Sequence, residues 1–253
     1  MPLGERAARD GIFMNEGINL NYGTELVNGV FIEESKNRFL CKVMINGELC
    51  ECYVPSSSRI ENYLKLKNKE VLLSINKGVD KRTKYSLFAV KYYRGYILLN
   101  LNLINTIVES LINQDKIKLL KAKNIQREQV VNGYKTDLLL TNKSNEVIIV
   151  EIKGIISSRK EADFPSVYSE RAITQLYKIR DMLLKGEKIY YLVVSLSPSV
   201  RSINIDEKYE EYVKLLMECQ GLGMVISSFS IVFKNNVVQY NKKIKVNYPD
   251  IHF

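Results

Sequence analysis

Two apolar runs joined by a polar turn constrain this chain most. They are Leu138-Leu139-Leu140 and Val147-Ile148-Ile149-Val150, with TNKSNE between them. Short apolar runs bounded by turn residues read as strands, and so brief a connection makes them a β-hairpin. Asp137 stands at the entrance and Glu151-Ile152-Lys153 at the exit. Residues two apart share one face of a strand, so Glu151 and Lys153 point the same way. Asp137 precedes Glu151 by 14 positions (151 − 137), a distance that the hairpin folds back. Two carboxylates and an amine then meet at one end of a small sheet. Carboxylates that close call for a cation between them, and hard oxygen ligands suit Mg²⁺ or Mn²⁺. Asp137 and Glu151 are the candidate metal ligands, with the backbone carbonyl of Ile152 a third. Lys153 is placed to orient or help deprotonate an attacking water. Glu128, nine residues before Asp137 (137 − 128), is either a further carboxylate of the site or a solvated acid.

Composition narrows the chemistry further. The only histidine is His252, which excludes mechanisms built on a histidine base and His-rich zinc sites. Lys and Arg outnumber Asp and Glu by 37 to 28, a net charge of +9. Such an excess favours a polyanionic partner, because neutralised phosphates release condensed counterions. A Lys-rich composition without function is the plainer reading. Cys41, Cys50, Cys52 and Cys219 lack zinc-site spacing and are expected as free thiols in a reducing compartment. No apolar run approaches membrane-spanning length and no signal peptide is seen, so a cytoplasmic protein without a membrane partner is expected. The opening MPLGERAARDGIF differs in composition from the remainder, and Met14 is an alternative start.

Between Val27 and Leu99 short alternating runs dominate, with Asn46-Gly47 as a hairpin turn and Ile60 to Leu66 as a short helix. Five or six strands in so short a stretch suggest a small closed barrel, the OB-fold being the natural candidate. Arg82, Lys84 and Arg94, interleaved with Tyr85, Tyr92, Tyr93 and Tyr96, have a composition suited to nucleic-acid contact or to an ordinary solvated face. From Asn102 the pattern changes to a helix over 102–112, a connection over 119–128, the hairpin, and a polar connection. A helix over 168–184, a strand over 188–196, a helix over 206–220 and a last strand over 224–233 complete it. This order implies a mixed sheet flanked by helices. The domains are expected at 24–100 and 101–240. On the helix over 168–184, Arg171 and Gln175 share a face. Should it look toward the hairpin, Arg171 would grip a phosphate and Gln175 would reach the nucleophile's side.

Asp137, Glu151 and Lys153 form the D…E-x-K pattern of the PD-(D/E)XK, or restriction-endonuclease-like, superfamily. Across nearly its whole length from Phe31 the chain also resembles the sugar fermentation stimulation protein A (SfsA) family. The matching blocks are Glu34-Ser35-Lys36-Asn37-Arg38-Phe39, Cys52-Tyr53-Val54-Pro55-Ser56-Ser57-Ser58-Arg59, Lys81-Arg82-Thr83-Lys84-Tyr85, the set Glu128, Lys135, Asp137, Glu151 and Lys153, and the run from Phe164 to Leu176. The sequence departs from the family pattern at Ser56, Ser57, Lys135, Ser166 and Gln175, the last standing for a histidine and Ser166 for an acid. The resemblance implies an N-terminal OB-like barrel, a C-terminal PD-(D/E)XK nuclease-like mixed sheet, and DNA binding. It marks Arg38, Arg59 and Lys135 as nucleic-acid contacts beside Arg82, Lys84 and Arg171. The expected activity is metal-dependent hydrolysis of phosphodiester bonds in DNA or RNA. The alternative is a non-catalytic DNA-binding regulator on a nuclease scaffold. Monomer and homodimer are both open.

Overall fold

The computed structural model describes residues 18–19, 25–56, 59–77, 81–93 and 95–249. The opening segment with Met14, together with Ser57, Ser58, Arg94 and His252, lies outside them.

The first part is a barrel of β2 (Leu26–Glu34), β3 (Leu40–Ile45), β4 (Glu48–Tyr53), β5 (Glu70–Ile75), β6 (Tyr85–Tyr92) and β7 (Gly95–Leu98). The sheet order is β4-β3-β2-β5-β6-β7, and a parallel pairing of β4 with β6 at Cys52↔Tyr85 closes it. That is OB topology, in which closure removes the open edges. Asn46 (φ 50°) and Gly47 (φ 86°) form the expected tight turn between β3 and β4, where two positive φ values match the strand twist. Between β4 and β5 only a 3₁₀ turn, Ile60–Asn62, forms in place of the expected helix. The Glu34 carboxylate accepts from Ile60 N and Glu61 N and ties this turn to the barrel wall.

A 3₁₀ turn (Leu101–Leu103) leads into α1 (Ile104–Asn113). The chain then runs through β8 (Asn124–Arg127), the ribbon β9 (Val130–Val131) and β10 (Tyr134–Lys135), β11 (Leu138–Thr141), β12 (Val147–Ile155), β13 (Glu161–Phe164), α2 (Glu170–Leu184), β14 (Ile189–Ser195), β15 (Ser202–Ile205), α3 (Glu210–Gly221), β16 (Val225–Lys234), β17 (Val237–Lys243) and β18 (Lys245–Asn247). With β1 (Ile18–Asn19) the large sheet has the order β1-β17-β16-β14-β12-β11-β8. The hairpin β11–β12 is antiparallel with Leu138 opposite Val150, and β12, β14 and β16 are parallel. β13, β15 and β18 form a separate three-stranded sheet.

Both faces of the large sheet are covered, which explains its unbroken apolar runs. Leu138, Leu140, Val150, Ile152, Leu192 and Phe229 pack with α1 and the barrel. Ile149, Tyr191 and Val193 pack with α2 and α3. Four expectations need correction. The connection over 119–128 contains the edge strand β8, whose Ile125 alone is half-buried. The polar connection after the hairpin contains β13. α3 begins four residues later than expected, because Asp206 accepts from Lys208 N and Tyr209 N in a turn of its own. The strand over 224–233 is not the last, since β17 and β18 follow it.

Candidate active site

The alternation of β12 decides where the site lies. Ile149, Glu151 and Lys153 face α2, while Ile152 faces α1 and the barrel. β11 stops pairing at Leu138, so Asp137 sits just beyond the ladder, opposite Glu151. Its Oδ2 accepts from Ile152 N at 2.7 Å and its Oδ1 from Asn105 Nδ2 of α1 at 3.1 Å. Because the N–H and C=O of one strand residue point to the same edge, the Ile152 carbonyl also opens toward Asp137.

Glu151 is 2% exposed. Its Oε1 accepts from Lys153 Nζ at 2.6 Å, and its Oε2 accepts from the hydroxyl of Tyr134. Burial raises the Glu151 carboxyl above its ordinary range; Lys153 opposes this and Asp137 adds to it. Burial, then the Glu151 charge, push the Tyr134 phenol far up, so it acts as a hydrogen-bond donor throughout the working pH range. Lys153 Nζ also donates to Gln175 Oε1 at 2.7 Å. An ammonium has three donors, which leaves one for a substrate or water oxygen.

Asp137, Glu151, Ile152, Lys153, Gln175 and Arg171 therefore line one groove of about 580 Å³ between barrel and sheet, with Glu128 at its edge and Tyr63 on the barrel side. Glu128 N donates to Asp137 O at 3.1 Å. Its carboxylate, however, accepts from Lys135 Nζ at 2.5 Å on the exposed rim, so the pair is largely self-neutralising. That ion pair draws Glu128 below the ordinary carboxylate range.

The basic barrel residues Arg38, Arg59, Arg82 and Lys84 do not line the groove. Arg38 is exposed with its guanidinium 4.7 Å from the Phe39 ring. Arg82 lies 3.9 Å from Glu51, and Lys84 lies 5.3 Å from the Tyr85 ring. Arg59 is half-buried. It donates to Ser35 O at 3.2 Å and Lys36 O at 2.9 Å, holding the turn that carries Arg38.

Sequence reasoning missed Tyr134 and Asn105. The signal for Tyr134 was present, since Asn132-Gly133 (φ 49° and 75°) is a second hairpin turn between Val130-Val131 and Tyr134-Lys135. That ribbon turns Tyr134 inward and Lys135 outward. Asn105 carried no comparable signal.

The donor set fits a hard cation. A carboxylate offers about four lone-pair positions, so Glu151 and Asp137 each retain acceptor capacity beyond the bonds above. Among the described residues no three His, Cys, Asp or Glu side chains converge to hold a metal ion. A cation here would rest on two carboxylates, a carbonyl and water, which is the regime of Mg²⁺.

Comparison with known proteins agrees with this architecture. The family model described as the SfsA N-terminal OB domain matches residues 34–99. A curated relative, the sugar fermentation stimulation protein homolog of Natranaerobius thermophilus, is 25% identical over 232 residues, covering 89% of this chain and 96% of that protein. The Clostridium novyi homolog is 29% identical over 188 residues, covering 71% and 80%. The solved structure of Pyrococcus furiosus SfsA in complex with Ca²⁺ matches with a TM-score of 0.77 at 17% identity, covering 88% of this chain and 96% of that one. At that identity the likeness shows the fold. The model described as the sugar fermentation stimulation protein RE domain matches residues 102–236, more than half of the chain, and the chain belongs to the sugar fermentation stimulation protein (SfsA) family.

Proposed function

We propose that this protein is a Mg²⁺- or Mn²⁺-dependent nuclease that hydrolyses phosphodiester bonds in DNA. Residues 101–240 carry the chemistry and residues 24–100 present the strand. The observation that carries the reading is the convergence of Asp137, a 2% exposed Glu151 and Lys153 at the end of one hairpin. Burying an ionised carboxylate is costly, and a merely structural hairpin gains nothing from it. Asp137, Glu151 and the Ile152 carbonyl would hold the cation, which when bound polarises the phosphoryl group and acidifies its water. Lys153, held by Glu151 and Gln175, directs its remaining N–H at the attacking water or a phosphate oxygen. Tyr134 and Asn105 fix the two carboxylates, so the site is organised before substrate arrives. Arg171, on the groove wall, is the phosphate-binding cation.

The test is cleavage of labelled single-stranded DNA, duplex DNA and RNA with Mg²⁺, Mn²⁺ or EDTA. Wild type should give metal-dependent products, ranking the substrates, while Asp137→Ala and Lys153→Ala should lose about 10²-fold or more. Absence of cleavage by wild type under every condition, with nucleic-acid binding intact, would overturn the nuclease in favour of a binding protein.

A further inference from the structure

Gln175 fixes which way α2 faces. Its bond to Lys153 turns the stripe Arg171, Thr174, Gln175 and Lys178 toward the hairpin. These residues follow i, i+3, i+4, i+7 spacing on the flank of the buried stripe Ile173, Leu176, Ile179, Met182 and Leu183. The stripe forms one wall of a second concavity of about 550 Å³, whose other wall is the β9–β10 ribbon and its exit to Asp137. This lobe and the groove between barrel and sheet share Glu128, Asp137, Arg171 and Gln175. The two are contiguous, and the acids sit on the saddle between them.

Charge distinguishes the second lobe from an ordinary dent. Glu128 and Lys135 on its rim pair with each other, and Glu170 lies at the start of α2. Arg171 and Lys178 make no ion pair or hydrogen bond among the described residues. Two cations without an ion-pair partner therefore share the lobe with two acids that form no ion pair among the described residues, Glu170 and Asp137. Arg171 borders both lobes, whereas Lys178 lines only the second, seven residues (178 − 171) further along α2, about 10.5 Å at the helical rise. A surface helix is normally polar on its outer face. This one instead turns unpaired cations into a hollow beside two carboxylates, an arrangement suited to an anion that extends past them.

We infer that the second lobe is a subsite for a backbone phosphate flanking the scissile one, with Lys178 as its ligand and Arg171 bridging the saddle. The inference rests on the nuclease reading for the position of the scissile phosphate. It identifies the path of the strand: through the groove beside Tyr63, across Asp137 and Glu151, and out along α2.

The experiment is fluorescence anisotropy of the full chain in EDTA with a labelled single-stranded oligonucleotide, so that binding is read without cleavage. Lys178→Ala should weaken binding about three- to tenfold and flatten the salt dependence by about 0.7 in log–log slope, the value of one phosphate on a single strand. Lys143→Ala, an exposed change in the turn between β11 and β12, serves as the comparison for general loss of charge. A series of oligonucleotides, each with one neutral methylphosphonate linkage, should weaken wild type most at one position, and that penalty should vanish in Lys178→Ala. Wild-type affinity and slope in Lys178→Ala, or a methylphosphonate penalty unchanged by the substitution, would overturn the subsite. Position-specific binding through Lys178 without cleavage in Mn²⁺ would retain the subsite and defeat the nuclease. Cleavage with Lys178→Ala binding like wild type would do the reverse. A wild type that binds no oligonucleotide defeats the subsite.

Discussion

Tyr134→Phe is the sharpest perturbation of the site, because it removes one oxygen and leaves the ring in place. The ring is 3% exposed and packs in the cluster that contains Ile149, Ile173 and Leu176, so no cavity of consequence forms. What is lost is the hydroxyl's donation to Glu151 Oε2. At 2% exposure that oxygen has no ready access to replacement water. A hydrogen bond to a charged group contributes about 1.5–3 kcal/mol. For a chain of this size 1 kcal/mol shifts Tm by about 2–4 °C, so the variant should melt about 3–12 °C below wild type at pH 7.5 in EDTA. The pH dependence follows from Glu151. Burial raises its carboxyl, so the native protein keeps a proton there in a window where the unfolded chain has lost it, and stability falls as pH rises through that window. The Tyr134 hydroxyl favours the ionised form. Its contribution is therefore complete above the raised native value and fades as pH drops below it. Melting both proteins at pH 7.5 and near pH 4, about the ordinary carboxylate value, should show the deficit shrinking in acid. A neutral-pH deficit below about 1 °C, or one of equal size at both pH values, would refute the reasoning.

Three other outcomes are expected. Millimolar Mn²⁺ should raise the Tm of wild type but not of Asp137→Ala or Glu151→Gln, since a ligand at a hundredfold over its Kd adds about 2.7 kcal/mol; a wild type indifferent to Mn²⁺ would remove the metal from the site. Gly154→Ala places a Cβ 2.5 Å from Leu101 Cδ2 and 2.9 Å from Ile104 Cδ1, so thermal melting should show a loss of about 1 kcal/mol, the low end for overpacking because both neighbours are chain tips. Titration of native protein with a thiol reagent should label Cys50 well before Cys41, Cys52 and Cys219, which are buried, with the Cys219 thiol also pushed up to about 12 by burial; all four should react in denaturant.

What the sequence reveals and what it hides divide along physical lines. β12 and β14 are legible because both faces are buried, and the sequence records that as VIIV and YYLVV. The α2 stripe of Ile173, Leu176, Ile179 and Leu183 is equally plain, ending at Gly186 (φ 85°). β8 is hidden because it is an edge strand with one half-buried side chain; its ladder to β11 is a backbone property that composition does not express. In the site, Glu151 and Lys153 are legible from period-two spacing, and Asp137 from the hairpin. Asn105 is not, because its bond to Asp137 spans 32 residues and depends on where α1 docks. Lys178 is exposed, and its spacing from Gln175 acquires meaning only once Gln175 is seen bonded to Lys153.

The docking of the barrel bears on how any strand could reach the acids. A barrel tethered by a linker would deliver nucleic acid from many directions, and its surface would say little about the path. Here Leu98 N donates to Leu196 O at 3.1 Å and Leu101 N to Pro55 O at 3.1 Å, so the backbone itself joins the two units. Phe233 of β16 packs edge-on against Phe88 and Tyr96 of the barrel, at 5.2 and 5.7 Å. One apolar cluster runs from Phe31 and Leu87 through α1 to Val150 and Phe229, and separating the units would expose it to water. Gly154, directly after Lys153, admits Leu101 and Ile104 so closely that the junction rests on the strand bearing Glu151. The barrel therefore sits fixed beside the groove, to which it contributes Tyr63. With the barrel fixed, the strand path inferred above would leave along α2, past Arg171 and Lys178.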